Sequence, residues 1–270
     1  MEGTVTVTRA GEVSVHTYVA PERGWRAASH LIELPSQLVL FDAQLTLDYA
    51  RELMGHAAAT GKPVTRCYIS HAHPDHFAGT ALVDAPTYAL TSQKELIDRS
   101  GDLRIRRAYQ LTPGHENTAL PPARPVDHVA EAGDEVIDGI RLRLQPVLDA
   151  ETTEQLAIGL PDQRILIAQD VVYHGVHSFI GEHNFASWSA ALDQLGSWPY
   201  DIVLPGHGLP GNRQLYGEAK AYLATAAAAF AVAAGPDDLS HRLEAAYPGF
   251  GGRAMQGLQN FYLYPAPERS

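Results

Sequence analysis

The chain has 270 residues, 45% hydrophobic and 19% charged, enough for one large domain spanning 1–270 with a substantial core. Its formal net charge of -11 repels a phosphate backbone, and the only local basic group, Arg104, Arg106 and Arg107, is too small to reverse that, which argues against a nucleic-acid partner. A single cysteine, Cys67, cannot form an intramolecular disulfide, the N-terminus lacks the basic and apolar regions of a signal peptide, and the Ala-rich stretch 221–235 is shorter than the ~20 residues of a membrane span; a cytoplasmic protein with no membrane partner is expected.

In chain order, Val5 and Val7, then Val13 and Val15, alternate as two strands joined by a turn at Ala10-Gly11-Glu12. Residues 31–34 and 38–41 form a second strand pair around Pro35-Ser36, ending at Asp42. Leu45, Leu47, Ala50 and Leu53 have helical spacing over 45–56, and Gly61-Lys62-Pro63 stops that helix. The β-rich run 64–70 is a strand. A helix capped by Thr91 covers 91–99, and a hairpin centred on Asp138-Gly139 covers 131–147. Strands follow at 155–160 and 164–168 with Pro161-Asp162 as their turn, then a helix at 188–195, a short strand at 202–204 and a long helix at 214–234. Strands cluster in both halves with helices between them, which predicts two sheets flanked by helices.

The strand 64–70 runs into His71-Ala72-His73-Pro74-Asp75-His76, which sets three imidazoles and a carboxylate within six positions. That donor set suits zinc or another borderline first-row metal. In a loop leaving a strand, His71 and His73 can share one ion while Asp75 and His76 turn toward a second; Pro74 and Phe77-Ala78-Gly79 favour so sharp a loop. Surface or helix-capping histidines are the common fate of isolated ones, but four ligand-type residues in this arrangement are not isolated.

This run resembles the His-x-His-x-Asp-His signature of the metallo-β-lactamase superfamily, and the likeness extends over nearly the whole chain. The resemblance implies an αββα sandwich of two mixed sheets, two divalent ions (Zn2+ first, Mn2+ or Fe as alternatives) and three further ligands. His207, in Pro205-Gly206-His207-Gly208 after the strand 202–204, matches the last of them. Asp170, ending the apolar strand Ile165-Leu166-Ile167-Ala168, matches the metal-bridging carboxylate. The middle position, normally histidine, falls on Glu151, as in the alkylsulfatase branch, with Asp149 and Glu154 as alternatives. Pro113-Gly114-His115 imitates the missing motif, but no apolar strand follows it. A carboxylate there makes bound water less acidic and favours a somewhat harder metal.

By the same resemblance, Asp75 takes part in catalysis and Tyr173 matches a tyrosine with which lactonases of the family hydrogen-bond a developing oxyanion. Two cations holding a water that ionises near neutral pH imply hydrolysis of a small-molecule, ester-like substrate. Lactone or carboxylic ester ranks first and sulfate ester second, since the chain is too short for the extra C-terminal domains of the sulfatase branch. An iron-dependent redox enzyme and a non-catalytic metal-binding relative are the alternatives. His174, His177 and His183 share a loop that assigns none of them a role, Trp188, Trp198 and the run Phe261-Tyr262-Leu263-Tyr264 offer apolar surface to a substrate or to the core, and Cys67 is read as core. Nothing in the sequence fixes the oligomeric state.

Overall fold

A computed structural model describes residues 2–115 and 118–265. Seven strands form the first sheet, in chain order: β1 (Thr4–Ala10), β2 (Val13–Val19), β3 (Ala28–Glu33), β4 (Leu38–Phe41), β5 (Val64–Tyr68), β6 (Thr87–Ala89) and β7 (His128–Val129). Its first four strands are antiparallel, and β4 to β7 run parallel. The second sheet holds β8 (Gly133–Ile137), β9 (Ile140–Leu148), β10 (Glu154–Leu160), β11 (Ile165–His174), β12 (Ile202–Gly208) and β13 (Gly211–Asn212), antiparallel except for the parallel pair β11 and β12. Helices α1 (Leu47–Ala59), α2 (Pro74–Phe77), α3 (Thr91–Leu111), α4 (Phe185–Ser197), α5 (Gln214–Val232), α6 (Pro236–Ala246) and α7 (Gln256–Leu263) complete the fold.

Strand alternation sorts the apolar residues into layers. Ile32, Val39 and Phe41 of the first sheet meet Ile158, Ile165 and Ile167 of the second in the space between the sheets. Their neighbours Leu31, Leu38 and Leu40 point the other way, onto Tyr49, Leu53 and Ala57 of α1. Leu166 and Ala168 likewise face Trp188, Leu192 and Leu195 of α4 and Leu223 of α5. The result is two mixed sheets packed face to face with helices outside, the αββα sandwich expected.

The boundaries need correction in places. The strand predicted at 64–70 stops at Tyr68, freeing Ile69 and Ser70 for the loop. Thr91 is not a cap: Leu90 takes that position without a side-chain hydrogen bond, and α3 continues to Leu111. It passes through Gly101 because a β-carbon there would stand 2.7 Å from that of Ala123, so close packing offsets the low helix propensity of glycine. Pro74 begins the short helix α2 rather than shaping an open loop. Asp170 lies inside β11, not at its end, and His207 lies inside β12, not in a turn after it. Cys67 is buried core, as expected. Among the described residues no helix is long and apolar enough to cross a membrane.

Candidate metal centre

The parallel strands bring their carboxyl ends to one edge of the sandwich, the usual place for a site in such sheets. Asp42 follows β4, the histidine run follows β5, and Asp170 and His207 lie in the last halves of β11 and β12. An isolated bridge between Ala27 and His207 closes this edge. At Asp170 the register of β11 shifts against β12 on both sides of Gln169, whose φ of 46° is left-handed. That irregularity turns Asp170 inward. Gly206 makes room for it, since a β-carbon there would meet Asp170 Oδ1 at 1.8 Å.

Two groups of side chains capable of holding a metal result: His71, His73, Glu151 and Asp170, and Asp75, His76, Asp170 and His207. Asp170 belongs to both. His71 Nε2 lies 3.3 Å from Glu151 Oε2 and His73 Nδ1 3.4 Å from Glu151 Oε1. Asp170 Oδ2 lies 3.2 Å from Nε2 of both His76 and His207, and Asp75 Oδ2 faces the same two nitrogens at 3.3 and 3.2 Å. All seven predicted ligand residues therefore converge, Glu151 among them. The other carboxylates weighed for the middle position do not: Asp149 is exposed and Glu154 accepts from Ser92. His115 is buried elsewhere, donating from Nε2 to the Arg23 carbonyl at 2.7 Å.

The far ring nitrogens fix the histidines. Ser70 Oγ, which donates to Asp42 at 2.6 Å, accepts from His71 Nδ1 at 2.9 Å; His76 Nδ1 donates to Asp42 at 2.7 Å and His207 Nδ1 to the Trp25 carbonyl at 2.8 Å. Each arrangement leaves Nε2 as the inward lone pair, the orientation that a metal requires. Those three Nε2 atoms, Glu151 Oε2 and Asp170 Oδ1 are buried without a hydrogen-bond partner among the described residues. Five such orphans in one place are too costly for a folded protein unless something else satisfies them, and divalent cations fit this donor set.

The electrostatics agree. Burial disfavours a charged His207, yet Asp170 and Asp75 push its pKa up to about 10. His76 is also raised well above the ordinary range, against burial, by Asp170, Asp75 and Asp42. Burial would raise the Asp170 carboxyl, but His76 and His207 hold it well below the usual carboxylate range. Three buried carboxylates thus demand positive charge at this point.

Sequence reasoning missed the supports of the site. Asp42, left-handed at φ 63°, also accepts from the Ser70 backbone at 2.7 Å and from Gln169, so one carboxylate ties both sheets to His76. Gln93 on α3 accepts from Ala72 N at 3.0 Å and donates to the Glu154 carbonyl at 2.8 Å, joining the histidine loop to the Glu151 loop. His30 contacts Thr17, Gln169 and the Pro205 carbonyl, and burial lowers its pKa to about 4, so it is neutral. Such links join residues far apart in sequence and leave no local pattern.

Tyr173 stacks on His207 at 4.6 Å, and its hydroxyl lies 2.8 Å from both Glu151 Oε1 and Asp170 Oδ2. The pocket over the clusters is lined by Trp25, Phe179, Met255, Leu258 and Tyr262, with Arg104 beside His73. Of Trp188, Trp198 and the run Phe261-Tyr262-Leu263-Tyr264, only Tyr262 lines it beside Tyr173: Trp188 donates to the Val171 carbonyl in the core, Trp198 packs on Tyr200, and Phe261 is exposed under Arg107. His174 bonds the Leu209 carbonyl, His177 lies against Tyr222, and His183 against Phe230, all outside the pocket lining.

A sequence profile of the metallo-beta-lactamase superfamily matches residues 23–207, which hold all seven of these side chains. A linear primary-alkylsulfatase from a Pseudomonas species is 25% identical over 67% of this chain; the match spans 41% of that protein's length. Among solved structures, a metallo-beta-lactamase from Pontibacter korlensis is 20% identical with a TM-score of 0.62, over 82% of this chain and 99% of its own. One from Pseudomonas aeruginosa, in its mono-zinc form, is 18% identical with a TM-score of 0.60, over 83% and 96%. With the profile covering the histidine run through His207 and the sandwich shared with these structures, the chain belongs to the metallo-beta-lactamase superfamily.

Proposed function

We propose that the chain is a dinuclear metal-dependent hydrolase of ester-like bonds, with the sulfate ester of an apolar alcohol now ahead of a lactone or carboxylic ester. The observation that carries the dinuclear reading is the pair of buried donor groups sharing Asp170. The sulfate ester moves ahead of its rank in the sequence because Glu151 stands at the middle ligand position and the curated relative is named an alkylsulfatase.

In this reading His71, His73 and Glu151 would hold one ion and Asp75, His76 and His207 the other, with Asp170 belonging to both donor groups. When bound, the ions supply Lewis acidity and a water acidic enough to ionise near neutral pH. The chain does the rest. Asp42, Ser70 and the Trp25 carbonyl keep the rings oriented, and the Asp75 carboxylate, which His76 and His207 keep ionised, would accept a hydrogen bond from the attacking water and orient it. Trp25, Phe179, Met255, Leu258 and Tyr262 bury the apolar part of the substrate and exclude bulk water. Tyr173 remains a neutral donor, because burial and the carboxylates of Asp170 and Glu151 raise its pKa well above the ordinary tyrosine value.

Proton release from zinc- and manganese-loaded protein, measured on alkyl sulfates, lactones, carboxylic esters, thioesters and phosphate esters, tests the function. A signal abolished by a chelator and largest on alkyl sulfates is expected. Silence across the panel would overturn the hydrolase reading in favour of redox chemistry or simple metal binding. Tyr173→Phe is expected to lower kcat by about 100-fold with metal content unchanged, the loss caused by removing one donor from a developing oxyanion. Loss of metal in that variant would instead assign the hydroxyl to holding Glu151 and Asp170.

A further inference from the structure

Arg104 of α3 is half-buried and lines two connected spaces. One is the pocket over the donor clusters; the other is a groove of mixed character that includes Ser92, Leu96, Arg99, Leu148 and Glu182, and both share His73. Its guanidinium is anchored close to the clusters, with Nη1 donating to the carbonyl of Ala72 at 3.3 Å and Nε to Ser100 Oγ at 3.2 Å. Ala72 lies between His71 and His73, so this cation is fixed beside the first donor group.

Among the described residues no carboxylate forms an ion pair with this side chain. Arg66, Arg124, Arg141, Arg143 and Arg164 all pair with carboxylates, whereas among the described residues none lies within 4.0 Å of Arg104. Glu182 shares the groove and offsets part of the field without forming an ion pair. A partly desolvated guanidinium whose hydrogen bonds go to one carbonyl and one hydroxyl keeps donors free for an anion. Its planar, multidentate donor set matches an oxyanion.

We propose that Arg104 binds an acidic group of the substrate, so that the pocket selects a small amphiphile. The substrate's oxyanion lies between the guanidinium and the donor clusters, and its apolar chain packs on Trp25, Phe179, Met255, Leu258 and Tyr262. This deepens the ester-hydrolase reading and rests on it for the bond that is cleaved, but not for the recognition of the anion.

Calorimetric titration of the metal-loaded protein with decane-1-sulfonate, which has no ester to cleave, separates the two. Arg104→Gln is expected to weaken sulfonate binding by about 10- to 100-fold while decan-1-ol binding stays within about twofold. Arg104→Lys should recover part of the loss, and Arg106→Gln, at an exposed, water-screened position outside both spaces, should change little. Unchanged sulfonate binding in Arg104→Gln, or equal weakening of sulfonate and alcohol, would overturn the proposal. Arg104-dependent sulfonate binding by a protein that hydrolyses no ester would uphold it and defeat the hydrolase reading. Hydrolysis of decyl sulfate by Arg104→Gln at the wild-type kcat/KM would do the reverse.

Discussion

Replacement of both His71 and His73 by alanine is expected to remove one metal equivalent per chain and to lower turnover by about 1,000-fold or more, while the second equivalent stays bound. The first donor group would retain only Glu151 and Asp170, and the second would be untouched. Two carboxylates without their imidazoles make a weak, hard site that borderline metals leave readily. The fold should survive, because the histidine loop is held by other contacts: Ser70 N on Asp42, Ala72 N on Gln93, and Leu156 N on the Ser70 carbonyl. Elemental analysis of dialysed protein, with circular dichroism as a check on folding, reads the result directly. Full metal content in the double variant would overturn the assignment of the first site.

The donor residues were legible because most of them lie close together in the chain. Four of the seven fall within one six-residue run, and a loop leaving a strand has few ways to arrange them. The layers of the fold were also legible, because alternation in runs such as Ile165-Leu166-Ile167-Ala168 is set by the pleat. Asp42 was visible as the end of a strand, but its bond to His76 depends on β4 and β5 lying parallel and adjacent. The pocket wall was largely illegible. Met255 and Leu258 come from the C-terminal segment, Trp25 from a turn before β3 and Arg104 from the middle of a helix, and only tertiary packing places them together. Strands as short as β6 and β7 have too few residues to show a period. Asp170 was legible from its position after an apolar run, whereas the continuation of the strand past it was not, because the bulge that turns it inward leaves no mark in hydrophobicity.

The substitution that best separates the competing ligand assignments is at Glu151. Glu151→Ala is expected to cost at least about 100-fold in activity and to loosen the ion held with His71 and His73, since it removes the carboxylate that faces both imidazoles. His115→Ala should leave metal content unchanged and activity within about twofold, because that ring packs on Tyr109 and bonds the Arg23 carbonyl away from both donor groups. Its cost should appear in stability instead, about 0.5–1.5 kcal/mol for the lost part-buried hydrogen bond to the Arg23 carbonyl. Glu151→His offers a sharper comparison. It retains a ligand while removing one negative charge, so metal binding should persist, the bound water should become more acidic, and the rising limb of the pH profile should move to lower pH. Metal content and a pH–rate profile for the three variants give the answer together. Loss of metal in His115→Ala with Glu151→Ala unaffected would move the middle ligand to the upstream histidine and remove the main ground for placing this site with those that use a glutamate.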